Sequence, residues 1–269
     1  MSYMRTLPLA VAAGVMLAAC DRDTGPTTPN LAPVGFVRYV HAVVDTGATD
    51  WRPVDRLEDS PPWFALAFRS STPYQAMGVG ARHLRVFPTT TDINITSQAL
   101  IDTTITFEEG VYYTLLHVGF ARSGSTPADH LLVLRDELPS PADNQVALRV
   151  VNVGVNLGSV DVFETDSATA PLPAAPTFAD VAFGEATPYQ MFATGPMVLR
   201  ATFAGKRDTV RATATAPPGS GGSSPVAGST IGRSVLTAIV VGRAVAGSAA
   251  GSFSSPAILF LLDKNPPRP

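Results

Sequence analysis

A nine-residue segment occurs twice in this chain and constrains its fold more than any other feature. Ala67-Phe68-Arg69-Ser70-Ser71-Thr72-Pro73-Tyr74-Gln75 and Ala182-Phe183-Gly184-Glu185-Ala186-Thr187-Pro188-Tyr189-Gln190 both read A-F-x-x-x-T-P-Y-Q. A recurrence of this kind marks a copied structural unit and has to be recognised before a fold is assigned. The chain is therefore read as two modules, 35–140 and 145–263. Its 269 residues, 45% of them hydrophobic, carry enough apolar material for two cores of ordinary size. The 24 prolines and 22 glycines fall between short apolar runs, which favours turns and strands over long helices. The expected class is all-β, with two tandem antiparallel β-sandwich modules.

Local pattern places the strands. In the first copy Phe36–Val44 is rich in β-branched and aromatic residues and reads as the opening strand. Asp45–Asp50 reads as a turn, and Pro53, Pro61 and Pro62 as an irregular stretch up to Trp63. Strands follow at Trp63–Phe68 and Ala81–Phe87, then a polar loop over 88–99. Ile101–Phe107 and Val111–Val118 flank Glu108-Glu109-Gly110, a hairpin signal, and Leu131–Leu134 closes the module. In the second copy the strands are Leu148–Val153, Val160–Phe163, Phe178–Phe183, Met197–Phe203, Ser234–Gly242 and Ala257–Leu262. Alignment of the copies sets Asn152 where the first has His41, and Val240 where it has His117. Ala212–Ser229 is of low complexity and is expected to be an exposed, mobile loop without a share in the core.

The N-terminal segment implies an address. Residues 1–19 carry Arg5 and an apolar run, Leu7–Ala19, broken only by Pro8; this is too short to span a bilayer and has the form of a secretory signal. Leu17-Ala18-Ala19-Cys20 resembles the lipobox of bacterial lipoproteins. The resemblance implies cleavage before Cys20 and a diacylglyceryl group on its sulfur. Cys20 is the chain's only cysteine, so no disulfide can form within it. Several acyl chains together make a stable anchor where one is marginal. The implied partner is a bacterial membrane reached through Cys20, with the protein extracytoplasmic, on the periplasmic face or the cell surface. Asp21 resembles the retention signal that enteric bacteria use at the inner membrane. Residues 20–34 are polar and proline-rich and read as a tether that holds the first module roughly 20 Å or more from the headgroups.

Two further elements resemble a known family. Val37-Arg38-Tyr39-Val40-His41-Ala42 with Asp45, and Glu109-Gly110-Val111-Tyr112-Tyr113-Thr114, are similar to the V-R-V-x-H-A-x-x-D and G-x-x-Y-T elements of the bacterial family called domain of unknown function 4397. Val160-Asp161-Val162 is similar to its V-D-V strand. The resemblance covers most of residues 35–262 and implies an extracytoplasmic, immunoglobulin-like β-sandwich module, often in tandem, with no established activity. The chain departs from the family's H-A-S-P-D-A-P turn at Val43, Val44 and Thr46.

Composition and motifs then narrow the function classes. The net charge is −3 and no block of Lys or Arg could neutralise a run of phosphates, which argues against a nucleic-acid partner. The four histidines, 41, 83, 117 and 130, all lie in the first copy. His41 with Asp45, Asp50 and Asp55 is the best metal-ligand set, against the plainer reading of a strand histidine followed by turn aspartates bonded to their own backbone. His117, with Val240 as counterpart, reads as a packed or edge residue. Trp51, Trp63, Phe64 and Tyr74 could form an aromatic platform for a sugar or a protein, or else fill the core and brace a turn. Nucleophile-elbow, zincin, Walker and dinucleotide signatures are absent, so neither an enzyme nor a cofactor is expected. The leading expectation is a non-catalytic, lipid-anchored envelope protein for adhesion, scaffolding or partner binding. The alternatives are a carbohydrate-binding lipoprotein using the aromatic cluster and a metal-assisted hydrolase.

Overall fold

The opening strand of each copy sends alternate side chains to opposite faces, and each face finds a different partner. In the computed structural model, which describes residues 32–268 apart from 57, 59–61 and 251–252, the first copy consists of β1 (Val34–His41), β2 (Thr49–Pro53), β3 (Trp63–Leu66), β4 (Gln75–Gly78), β5 (Gly80–Pro88), a one-turn helix α1 (Ile93–Thr96), β6 (Ile101–Phe107), β7 (Tyr112–Val118) and β8 (His130–Asp136). The second consists of β9 (Gln145–Val153), β10 (Val160–Thr165), β11 (Phe178–Val181), β12 (Gln190–Ala193), β13 (Val198–Phe203), β14 (Val210–Thr215), β15 (Ser234–Val241) and β16 (Ala257–Lys264).

These strands form four sheets, ordered β4-β1-β7-β8 and β3-β2-β5-β6, then β12-β9-β15-β16 and β11-β10-β13-β14. The second pair repeats the first with every strand number raised by eight. The class is all-β, as expected. Pairing is antiparallel except that β1 runs parallel to β7, and β9 to β15. His41 faces His117 across the first parallel pair, and Asn152 faces Val240 across the second, so the alignment of the copies holds in register.

Three apolar layers separate the four sheets. Val37, Tyr39, Trp51, Leu84, Val86 and Leu115 fill the first sandwich. Leu148, Val150, Val162, Leu199, Leu236 and Ala238 fill the second. The third layer lies between the sandwiches: Val40, Ala42, Leu116 and Val118 meet Val151, Val153, Ile239 and Val241. Both central sheets are therefore apolar on two faces, which explains the near-continuous hydrophobic runs of their inner strands. Each copy keeps its own core, and the two are joined by an apolar seam.

Several sequence expectations are corrected. The stretch read as a turn and an irregular segment contains β2, paired with β5 from Thr49 to Pro53; Val54 donates to His83 of β5, so the Pro53 nitrogen faces the β3 side, where pairing has ended at Trp51 and no donor is needed. Glu108-Glu109-Gly110 does not close a hairpin. Gly110 has the expected positive φ of 70°, but β6 pairs with β5 and β7 with β1 and β8, so the turn carries the chain between sheets. The loop over 88–99 includes α1, capped by the Asp92 carboxylate, which accepts from the Asn94 N–H at 2.9 Å. Strands β4 and β12, four residues each, were too short to show a period.

The segment Ala212–Ser229 is not a free loop. Its start lies in β14, paired with β13, and Ala212, Ala216 and Ala227 are buried in the second core. Ser220 and Val226 exchange backbone hydrogen bonds of 3.1 and 2.8 Å. A Cβ on Gly228 would lie 2.1 Å from the Gly219 nitrogen. Small residues here permit close chain packing, which composition alone reads as mobility.

Candidate functional site at the junction of the sandwiches

The repeated nine-residue segment builds one side of the seam. In each copy its threonine ties it to the opening strand: Thr72 Oγ1 accepts from the Tyr39 N–H, and Thr187 Oγ1 from the Val150 N–H, both at 3.0 Å. Its phenylalanines, Phe68 and Phe183, pack with Val44 and Val155 at one end of the seam. Its tyrosines, Tyr74 and Tyr189, serve a buried polar network that the apolar seam borders.

In that network each sandwich completes the other. Arg38 on β1 donates through Nε to Thr114 Oγ1 on β7 at 2.8 Å, and its Nη2 pairs at 2.6 Å with Asp263 Oδ1 at the end of β16 in the other sandwich. Arg149 on β9 donates through Nε to Thr237 Oγ1 on β15 at 2.9 Å, and its Nη2 pairs with Asp136 Oδ1 at the end of β8. The second carboxylate oxygens are filled alike: Tyr74 and Thr114 donate to Asp136 Oδ2 at 2.7 and 2.6 Å, Tyr189 and Thr237 to Asp263 Oδ2 at 2.8 and 2.6 Å. Arg38 stacks over the Tyr74 ring at 4.5 Å and Arg149 over Tyr189 at 4.7 Å. Contacts that map onto themselves when the partners are exchanged are the signature of an isologous, two-fold interface. Here it joins two halves of one chain.

The electrostatics follow from burial. Both ion pairs are almost wholly removed from solvent, with side-chain exposures of 2% and 0% for Arg38 and Asp263 and of 6% and 0% for Arg149 and Asp136. Charges so placed persist only when paired and hydrogen-bonded. Burial raises the Tyr74 and Tyr189 phenols well above their usual range, and the neighbouring carboxylates add to the shift, so both remain protonated donors. A cleft of about 710 Å³ opens beside the network, lined among others by Tyr112, Arg135, Asp136, Asp263 and Lys264.

The residues singled out in the sequence lie elsewhere or do other work. The four aromatics do not share a face. Trp51 is fully buried and stacks on Tyr39 at 4.6 Å, Trp63 packs against the same core, Tyr74 belongs to the junction, and Phe64 alone is well exposed, at 56%. The proposed platform is thus divided among the core, the seam and the surface.

The proposed metal set is likewise dispersed. His41 Nε2 bonds the Gly47 carbonyl at 2.7 Å; Asp45 accepts from the Ala121 and Arg122 N–H groups at 2.7 and 3.0 Å; Asp50 accepts from the Ala65 N–H, Thr89 and Arg52. Burial pushes the Asp50 carboxyl up, but these three donors outweigh it and hold it below the usual range. Asp55 lies 3.8 Å from Arg82. Among the described residues no three His, Cys, Asp or Glu side chains gather in a group that could hold a metal ion. His117 packs in the core, its ring 5.8 Å from that of His41. Cys20, the lipobox and the tether up to residue 31 lie outside the described residues.

Sequence reasoning missed Arg38, Arg149, Asp136 and Asp263 as a set. A signal was present, because Arg38 and Arg149, Thr114 and Thr237, and Asp136 and Asp263 are identical pairs once the copies are aligned. What a linear alignment conceals is that each arginine meets the other copy's acid.

The fold and the junction define an all-β protein of two like sandwiches joined by a quasi-two-fold interface. Residues 35–163, which span the first sandwich and continue through the start of β10, match the family described as Domain of unknown function (DUF4397). No curated protein matches the chain.

Proposed function

We propose that this chain is a non-catalytic, lipid-anchored protein of the bacterial cell envelope whose two sandwiches, both of the matched family, form a rigid body for adhesion, scaffolding or partner binding. The observation that carries the reading is the exchange of ion pairs across the seam. Arg38, Arg149, Asp136 and Asp263 all bond to groups of this chain, so the chemistry of the junction holds two modules in fixed relation. Rigidity of this kind suits a spacer or scaffold, whose outer faces must be presented at constant separation. The lipobox-like Leu17-Ala18-Ala19-Cys20 supports the envelope address.

The test is cross-linking and purification of the full chain from its native envelope. The expected result is a diacylglyceryl-modified Cys20 at the mature start by mass spectrometry, together with a reproducible set of cross-linked partners. An unmodified thiol in the soluble fraction would remove the anchor from the proposal, and a body that cross-links to nothing would remove the scaffold.

A further inference from the structure

The outer faces of the two outermost sheets match in register but differ in cover. Trp51 opposite Val86 and Arg52 opposite Arg85 in the first sandwich correspond to Val162 opposite Ala201 and Phe163 opposite Arg200 in the second. The match is fixed independently by Asp50 and Asp161, whose carboxylates accept the N–H of Ala65 and Asp180, both at positive φ.

In the second sandwich the chain covers this face itself. Residues 166–177, the Ala/Pro/Thr segment joining β10 to β11, supply backbone carbonyls to arginines: Ala168 and Ala170 accept from Arg200 at 3.2 and 2.6 Å, and Leu172 accepts from Arg207 at 2.8 Å. Phe163 is fully buried although it alternates with the core residues Val160 and Val162. Arg200 is only 6% exposed.

On the equivalent face of the first sandwich the arginines stay accessible. The side chains of Arg52 and Arg85 are 37% and 41% exposed. Arg52 lies between two rings, 5.4 Å from Phe64 and 5.0 Å from Phe87. Arg85 pairs through Nε with Asp102 at 2.8 Å. An exposed ring, Phe64, and a half-buried one, Phe87, flanking an arginine are the composition of interface anchors.

We propose that this face docks a proline- and alanine-rich peptide of a partner protein. Its carbonyls would take the Arg85 guanidinium as Ala168 and Ala170 take Arg200, and its prolines would lie against Phe64 and Phe87. In the second sandwich Ala168 and Ala170 offer these carbonyls from a turn closed by the Ala170 N–H on the Ser167 carbonyl, and the prolines that follow limit further internal hydrogen bonding and the entropy lost on docking. The carbonyl contacts are read from the molecule's own second copy, where a segment of that composition already sits, and the ring contacts from the first, because Phe64 and Phe87 correspond to Ala179 and Thr202 in the second. The inference rests on the partner-binding reading above and narrows it to one face and one ligand class.

The test uses the full chain and a fluorescent synthetic peptide with the sequence of residues 167–177, followed by anisotropy. Saturable binding is expected, with the affinity reduced roughly tenfold in Arg85→Ala and in Phe64→Ala, both at exposed positions where an unchanged unfolding midpoint confirms the fold. Absence of saturable binding, or equal binding by both variants, overturns the proposal. Binding that appears only after deletion of residues 21–31 assigns the face to the chain's own preceding segment and overturns it too. Failure here leaves envelope cross-linking unaffected, because that experiment reads every face of the molecule.

Discussion

Arg38 in the opening strand of the first sandwich closes its ion pair on Asp263, in the last strand of the second, at 2.6 Å and out of reach of solvent. Removing one member of such a pair strands the other, at about 3–5 kcal/mol. Asp263→Ala and Arg38→Ala are each expected to destabilise by that amount in denaturant unfolding. The joint replacement Arg38→Met with Asp263→Leu is expected to cost less than either truncation, since no charge is then left unpaired. A strictly additive double-mutant cycle would show that the pair is uncoupled.

The phenols of the repeated segment are expected to contribute equally. Tyr74→Phe and Tyr189→Phe each remove one hydrogen bond to a buried carboxylate, which puts the loss at about 1.5–3 kcal/mol in each case. Thermal unfolding of the two variants checks this, and a large difference between them would break the equivalence of the halves.

Acid sensitivity follows from the histidine pair. Burial first, and then the charge of neighbouring His117, lowers His41 from 6.5 to about 3. Between those values the unfolded chain binds a proton that the folded chain does not, so stability is complete above pH 6.5 and falls as the pH drops toward 3, by about 1.4 kcal/mol per unit. His117 is also lowered, chiefly by burial, and adds to the same slope. The second sandwich supplies the control: Asn152 holds the place of His41 through bonds to the Gly158 and Val181 carbonyls at 2.8 and 2.9 Å. His41→Asn with His117→Val is expected to flatten the pH dependence of the unfolding midpoint.

Trp51 and Phe64 should separate cleanly. Trp51→Ala empties a fully buried site and is expected to cost about 3–5 kcal/mol, whereas Phe64→Ala on the outer face should stay within about 0.5 kcal/mol. Equilibrium unfolding of both variants measures the contrast.

Gly228 tests the packing of the Gly/Ser-rich segment. With a Cβ 2.1 Å from the Gly219 nitrogen, Gly228→Ala is expected to lose about 1–3 kcal/mol and to expose residues 220–224 to limited proteolysis. A wild-type chain cut there as fast as the variant would contradict the packed arrangement.

The long inner strands were legible because they are buried on both faces. Val111–Val118 and Leu148–Val153 read as continuous apolar runs, and their equivalence was visible in Asn152 and Val240. The seam was not legible for the same reason: Val40 and Val37 are both valines, and nothing local tells which meets a facing sheet in its own module and which meets the other module. Trp51 was misplaced because turn residues before it and Pro53 after it hid a five-residue strand. Tyr74 and Tyr189 share one position of the repeated segment, but nothing local points to the carboxylate of Asp136, which lies 62 positions from Tyr74.

Because the arginine of each copy is completed by the acid of the other, loss or exchange of one half of the gene leaves a stranded charge in the half that stays. The network is complete only when both halves are present, and exchange of either one for a half without the matching acid or arginine is expected to lower stability.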